Sequence, residues 1–117
     1  MKPRFISDIH LSEDTPHLTN AFKVFLNKSK ETCTHLFILG DLFEIWIGDD
    51  DDNSFNQDIK KALLDFTTDG PKTFLMHGNR DFLIGDAFAN EVGISILSDP
   101  YTLDINGMKT VLSHGDF

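Results

Sequence analysis

Apolar and polar positions along the chain fall into short runs that switch between a period of two and a period of 3.6. Residues 4–9 predict a strand close to the N-terminus. Helical spacing follows, with Leu18, Ala21, Phe22, Phe25 and Leu26 on one face and Thr15 and Pro16 as N-cap and first helical residue. His35–Leu39 reads as a compact apolar strand running into Gly40-Asp41. Ser54 and Gln57 stand at capping-box spacing ahead of an apolar face of Phe55, Ile59, Ala62, Leu63 and Phe66. Asp69-Gly70-Pro71 stops that helix. Residues 73–76 predict a third strand, and residues 84–92 a shorter helix closed by Gly93 in a left-handed cap. Tyr101, Leu103 and Ile105 then alternate up to Asn106-Gly107, and a further run follows over residues 108–113. Asn-Gly between two such runs predicts a hairpin. Strands alternating with helices predict an α/β layered fold.

Composition narrows the picture. With 117 residues the chain is one small domain or a piece of one, and 40% hydrophobic content with 11 Phe suffices for a core. A formal charge of −9, from 19 acids against 10 bases, argues against a basic nucleic-acid surface. It leaves room for an anionic substrate where bound divalent cations invert the local field. Cys33 is the one cysteine, so no internal disulfide forms and a reducing compartment is expected. Ser7, Asp8 and His10 interrupt any signal-peptide core, and no apolar run nears the roughly 20 residues of a membrane-spanning helix. The expectation is a soluble protein, or one resting on a membrane surface.

The chemistry lies in where the polar residues fall. Asp8 and His10, Asp41, Asn79 and His114 each come just past the end of a predicted strand. Parallel strands bring their carboxyl ends to one edge of the sheet, where α/β proteins bind ligands. Asp8 and His10 are two apart and share a side. Carboxylate, amide oxygen and imidazole together suit a divalent ion such as Mn, Fe or Zn. A carboxylate bridging two such ions, about 3.5–4 Å apart, is the arrangement that activates water against a phosphate group. Gly40, Gly78 and Gly115 adjoin three of these positions. Other polar clusters carry less. Residues 49–52 resemble a calcium loop, but Ser54 and Lys60 stand where such a loop needs Gly and Glu, so a solvated acidic loop is expected. Phe43 and Trp46 are expected to pack, His17 and His35 to be structural or surface residues, His77 to support a ligand segment, and Cys33 to be a buried spectator.

In order, Asp8-Ile9-His10, Gly40-Asp41, Gly78-Asn79-Arg80-Asp81 and His114-Gly115-Asp116 resemble the calcineurin-like metallophosphoesterase superfamily. That resemblance implies a layered phosphoesterase sandwich in which Asp8 and His10 hold one metal, Asp41 bridges, and Asn79 and His114 hold the other. Residues 40–51 (GDLFEIWIGDDD) and 77–83 (HGNRDFL) are similar to the UDP-2,3-diacylglucosamine diphosphatase branch, and the similarity covers essentially the whole chain. The branch hydrolyses a nucleotide-lipid pyrophosphate to UMP and 2,3-diacylglucosamine 1-phosphate in lipid A biosynthesis, usually with manganese. It implies a cytoplasmic enzyme peripheral to the inner membrane, with no nucleic-acid partner and no obligate protein partner.

The resemblance also implies that Asn79 and Arg80 are catalytic and bind the substrate phosphate. Much of the superfamily has His where Arg80 stands, as proton donor to an alkoxide leaving group. Arginine stays protonated and cannot donate a proton at neutral pH, yet it pairs well with phosphate oxygens. A phosphate leaving group, with a second pKa of about 6, needs little protonation, so Arg80 suits pyrophosphate cleavage. The family pattern continues into a Gly-His-x-His motif giving each metal one more His, and this sequence contains none. Residues 1–117 are therefore expected to be the N-terminal part of a single, truncated metallophosphoesterase domain. The alternatives are another calcineurin-like phosphoesterase or an inactive remnant.

Overall fold

A computed structural model describes residues 2–43, 54–76, 85–98 and 100–113. Four parallel strands form the central sheet in chain order: β1 (Pro3–Ile6), β2 (His35–Leu39), β3 (Lys72–Met76) and β4 (Ile94–Leu97). Three helices make the crossovers: α1 (Pro16–Thr32), α2 (Ser54–Thr67) and α3 (Asp86–Val92). A hairpin of β5 (Tyr101–Ile105) and β6 (Met108–Leu112) follows as a separate antiparallel pair. The expected α/β layering holds.

Register decides which residues meet which layer. Arg4, Leu36, Thr73 and Ile94 lie side by side, as do Ile6, Ile38, Leu75 and Ile96. The apolar members of these rows face the helices and join Phe22, Leu26, Ile59, Leu63, Phe66, Phe88 and Val92 in the main core. The alternate rows point to the opposite face. There Phe37 and Met76 form a second cluster with Leu103 and Leu112 of the hairpin, flanked by Leu39, Phe74 and Leu97. Phe5, Phe37 and Phe74 occupy one row across three strands, and their rings stack at 5.2 and 5.0 Å. A parallel sheet buried on both faces reads as continuous apolar runs, as His35–Leu39 does.

Several local expectations need correction. β1 ends at Ile6, not at residue 9, because Asp8 and His10 both adopt positive φ and cannot continue a strand. Thr15 stands at the N-cap of α1, but its hydroxyl donates to the Ser12 carbonyl rather than capping the helix. On α1 Phe22 and Leu26 are buried and Phe25 packs against the same core, Thr19 and Ser29 join that face, and Ala21 is exposed. Ser54, expected as the cap of α2, is instead the first residue of that helix; residue 84, where the next helix is expected to start, lies outside the described residues, and α3 begins at Asp86. β4 was not anticipated. Its two residues Ile94 and Ile96, alternating with Ser95 after the Gly93 cap, carried the signal.

Other expectations hold. Gly93 closes α3 at φ 75 and ψ 32. Asn106 and Gly107, at φ 52 and 86, form the hairpin turn, the backbone a two-residue connection requires. Cys33 is buried, and burial pushes its thiol up, which keeps it protonated and unreactive. His17 is exposed, and His35 lies half-buried against the Phe37 and Phe74 rings. Among the described residues no helix is long and apolar enough to cross a membrane.

Two measurements check this account. A Cβ on Gly93 would meet the Thr67 hydroxyl at 2.8 Å, and that hydroxyl already donates to the Val92 carbonyl at 2.7 Å. Gly93→Ala is expected to cost about 1–2 kcal/mol in urea unfolding, since it adds a left-handed penalty to the clash. His35 titrates below its ordinary value of 6.5, through desolvation first and then the nearby charges of Lys72 and the N-terminus. The unfolded chain therefore binds this proton more readily, so the stability His35 contributes is complete above pH 6.5 and is lost as pH falls below it. His35→Gln is expected to flatten that part of a melting-temperature profile across the same acid limb.

Candidate metal centre

Three of the five expected ligands come together at the carboxyl ends of β1 and β2. The ligating atoms of Asp8, His10 and Asp41 all lie within 4.8 Å of one another. Burial grades across them: Asp41 is buried at 6% exposure, His10 is half-buried, and Asp8 is exposed. His10 Nε2 stands 3.9 Å from Asp8 Oδ1. The group is a shallow cup with Asp41 at its floor and Asp8 at its lip. Asn79, Arg80 and His114 lie outside the described residues, as do Trp46, His77 and residues 49–52.

The cup is made by two loops that stay paired after the strands have ended. Asp8 N–H donates to the Gly40 carbonyl at 3.3 Å, His10 N–H to the Asp41 carbonyl at 2.9 Å, and Leu11 N–H to the Leu42 carbonyl at 2.8 Å. A parallel pairing of Leu11 with Phe43 closes the run. Leu11, Leu42 and Phe43 are all within 1% of complete burial, so each ligand-bearing loop is pinned by apolar side chains just beyond its ligand. Phe43 packs its ring edge-to-face against Phe55 of α2 and Phe88 of α3, at 6.0–6.5 Å. It packs, as the sequence suggests.

The backbone at these positions is strained. Asp8, His10 and Asp41 have φ of 55, 53 and 53, and Gly40 before the last has φ 92. Left-handed conformation at a non-glycine residue costs of order 1–3 kcal/mol and persists where the surroundings enforce it. Here the interloop hydrogen bonds and the buried apolar anchors do so. Positive φ turns each ligand out of the strand's alternation, which allows Asp8, His10 and Asp41 to converge. Aspartate tolerates this backbone better than most residues, whereas an imidazole has less local compensation. Sequence spacing placed the ligands; it gave no sign of this strain or of the Leu11–Phe43 anchor, although an apolar residue follows both His10 and Asp41.

The donor set fits a divalent cation. Two carboxylates and an imidazole are ligands for Mn, Fe or Zn, and no thiolate is near. A buried carboxylate close to a second one is costly without countercharge, and a dication at the centre of the cup would supply it. The clefts elsewhere have a different character. The one between α1 and α2 is bridged by contacts among its own lining residues, Lys23 to Asp58 at 2.6 Å and Lys30 to the Asp65 carbonyl at 2.6 Å.

Comparison with known proteins agrees with the fold and the pattern. No family model matches the chain. Curated proteins named UDP-2,3-diacylglucosamine hydrolase match it along nearly its whole length. The one from Pseudomonas paraeruginosa is 47% identical over 99% of this chain and 48% of its own length. Those from Azotobacter vinelandii and Tolumonas auensis are 46% and 47% identical over 99% of this chain, which covers 48% and 47% of them. The chain spans about half the length of the curated relatives it matches. Among solved structures, Pseudomonas putida nuclease MPE superposes with a TM-score of 0.67 at 20% identity, covering 87% of this chain and 50% of that one. A protein of unknown function from Aquifex aeolicus superposes with a TM-score of 0.58 at 20% identity, covering 96% of this chain and 59% of that one. The chain thus shares its fold with Pseudomonas putida nuclease MPE, and along 99% of its length it is similar to proteins named UDP-2,3-diacylglucosamine hydrolase, spanning about half of such a protein.

Proposed function

We propose that residues 1–117 are the N-terminal part of a single metallophosphoesterase domain whose reaction is hydrolysis of the pyrophosphate of UDP-2,3-diacylglucosamine, releasing UMP and 2,3-diacylglucosamine 1-phosphate. The observation that carries the proposal is the convergence of Asp8, His10 and Asp41 within 4.8 Å in a chain nearly half identical to hydrolases of that name. Asp8 and His10 would hold one divalent ion, Asn79 and His114 the second, and Asp41 would serve both. Manganese is the proposed metal. Bound ions would polarise the phosphate and stabilise charge on the attacking and leaving oxygens.

The chain's own groups hold and orient the substrate. Met76 at the end of β3 is in register with Leu39, two residues before Asp41, so β3 ends at the sheet edge where Asp41 stands, and Asn79 and Arg80 follow three and four residues later in sequence. Asn79 and Arg80 are the groups proposed to act on the phosphate. The planar guanidinium of Arg80 pairs with phosphate oxygens and stays charged through the reaction. The departing phosphate needs little protonation, so this site calls for charge stabilisation more than for a proton donor. The nuclease among the fold neighbours does not carry its substrate over at 20% identity, and a net charge of −9 disfavours a nucleic-acid surface. The proposed setting is lipid A biosynthesis in the cytoplasm, peripheral to the inner membrane, with a nucleotide-lipid as the partner molecule.

Fusing residues 1–117 to the unmatched half of the Pseudomonas paraeruginosa relative gives the test, read as UMP release from UDP-2,3-diacylglucosamine with Mn2+. Turnover by the fusion supports the reading, and a fusion that folds and takes up Mn2+ but releases no UMP refutes it. Asp41→Ala in the fusion is expected to remove two ions at once and to reduce hydrolysis by at least about a thousand-fold, while His10→Ala empties mainly one site. Near-normal hydrolysis in Asp41→Ala would overturn the two-metal assignment. Arg80→Lys keeps the charge but loses the fork, so kcat is expected to fall by about 10- to 100-fold with metal content unchanged. Loss of metal from Arg80→Lys would show that the side chain serves the ions and not the phosphate.

A further inference from the structure

Asp41 is held by a residue that never reaches the cup. Two positions after it, Phe43 is completely buried and meets three separate parts of the fold. Its backbone pairs with Leu11 of the other ligand loop, and its ring meets Phe55 of α2 and Phe88 of α3 edge-on at interplanar angles of 80° and 83°. Leu11 is itself buried and directly follows His10. The left-handed backbone at Asp8, His10 and Asp41 is unfavourable in itself and persists where buried neighbours such as these enforce it.

We propose that Phe43 is a positioning residue for the metal centre: its ring, wedged between α2 and α3, locks the Leu11 pairing and thereby sets the separation between Asp41 and the Asp8–His10 pair. The proposal rests on the metal-binding reading above and adds a residue that touches neither metal nor substrate. The lock works because Leu11 N–H to Leu42 O and His10 N–H to Asp41 O are the two hydrogen bonds nearest the pairing, at 2.8 and 2.9 Å. A smaller side chain at 43 leaves a void under this junction. The strained loops then relax toward ordinary φ, and the three ligands drift apart. Phe66 is the matched control. It lies in the same core cluster at 3% exposure, near the end of α2, with no place in the ligand loops. Phe43→Leu and Phe66→Leu remove similar apolar volume from the same core, so a purely structural role predicts similar consequences for both.

The experiment uses the fusion described above, with two readouts. Amide hydrogen exchange without metal reports the lock directly: Phe43→Leu is expected to speed exchange at His10 and Leu11 by at least about ten-fold over Phe66→Leu at matched global stability. Mn2+ titration by calorimetry reports the consequence: Phe43→Leu is expected to weaken binding by roughly 10- to 100-fold while Phe66→Leu leaves it near wild type. Phe43→Met, which restores the reach of the side chain between α2 and α3 but not its ring edges, should recover part of both effects, and it carries the same comparison should Phe43→Leu fail to fold. Equal exchange at His10 and Leu11 in the two Leu variants overturns the proposal. Failure of the metal reading looks different: wild type and Asp41→Asn would then take up Mn2+ equally, whatever the exchange pattern.

Discussion

Parallel pairing between β1 and β2 does more than close one seam of the sheet. Three side chains from two loops more than thirty residues apart in sequence must share a space under 5 Å across, and the register Pro3↔His35 to Ile6↔Ile38 brings the loops level. A slip of one residue would send Phe37 to the helices and Ile38 to the hairpin, exchanging the contents of both cores. It would also part Asp41 from His10. The identity of the two apolar layers and the geometry of the cup therefore depend on one register. That register is enforced from both sides, by Leu36 and Ile38 beneath the helices and by the stacked rings of Phe5, Phe37 and Phe74 on the opposite face.

Energy stored in the ligand loops is the other side of the same constraint. Left-handed aspartate and histidine are each unfavourable, and a buried carboxylate beside another adds electrostatic cost. These terms are carried by the packing of Leu11, Leu42 and Phe43 and by the hydrogen bonds between the loops. Preorganisation of this kind lets a site bind its ion without rearranging first. The surplus that sustains it is local to the two helices nearest the cup.

Much of the fold was legible because its signals are local. The apolar stripe of α2, the glycine cap of α3 and the Asn106-Gly107 hairpin each follow from residues within one or two turns of each other. The position of Asp8, His10 and Asp41 just beyond strand ends was legible as well, since the strands before them are compact apolar runs. What escaped depended on contacts between distant segments. Residues 7–9 carry enough β character to extend a strand, and the pull of the Gly40–Leu42 backbone turns them out of it. Thr15 had two acceptor and donor options, and the Ser12 carbonyl won. β4 is four residues long, with one face against α3 and the other toward the hairpin, so its alternation is short and easily missed. The pairing of Leu11 with Phe43 is invisible in sequence because neither residue differs in kind from any other core position.

The sheet order β1-β2-β3-β4 is also the order of synthesis. Every strand is laid against its immediate predecessor, and each intervening helix returns to the same face. A chain leaving the ribosome at about 5–20 residues per second can thus dock β2 on β1 through α1 before residues of β3 exist. No strand has to wait for a partner two places ahead or be inserted between two already joined. Parallel pairing is slow to nucleate because the loop must close first, and sequential growth keeps each closure to a single helix. The two loops of the cup come together at the first of these steps, so the centre's geometry is among the earliest long-range features the nascent chain acquires.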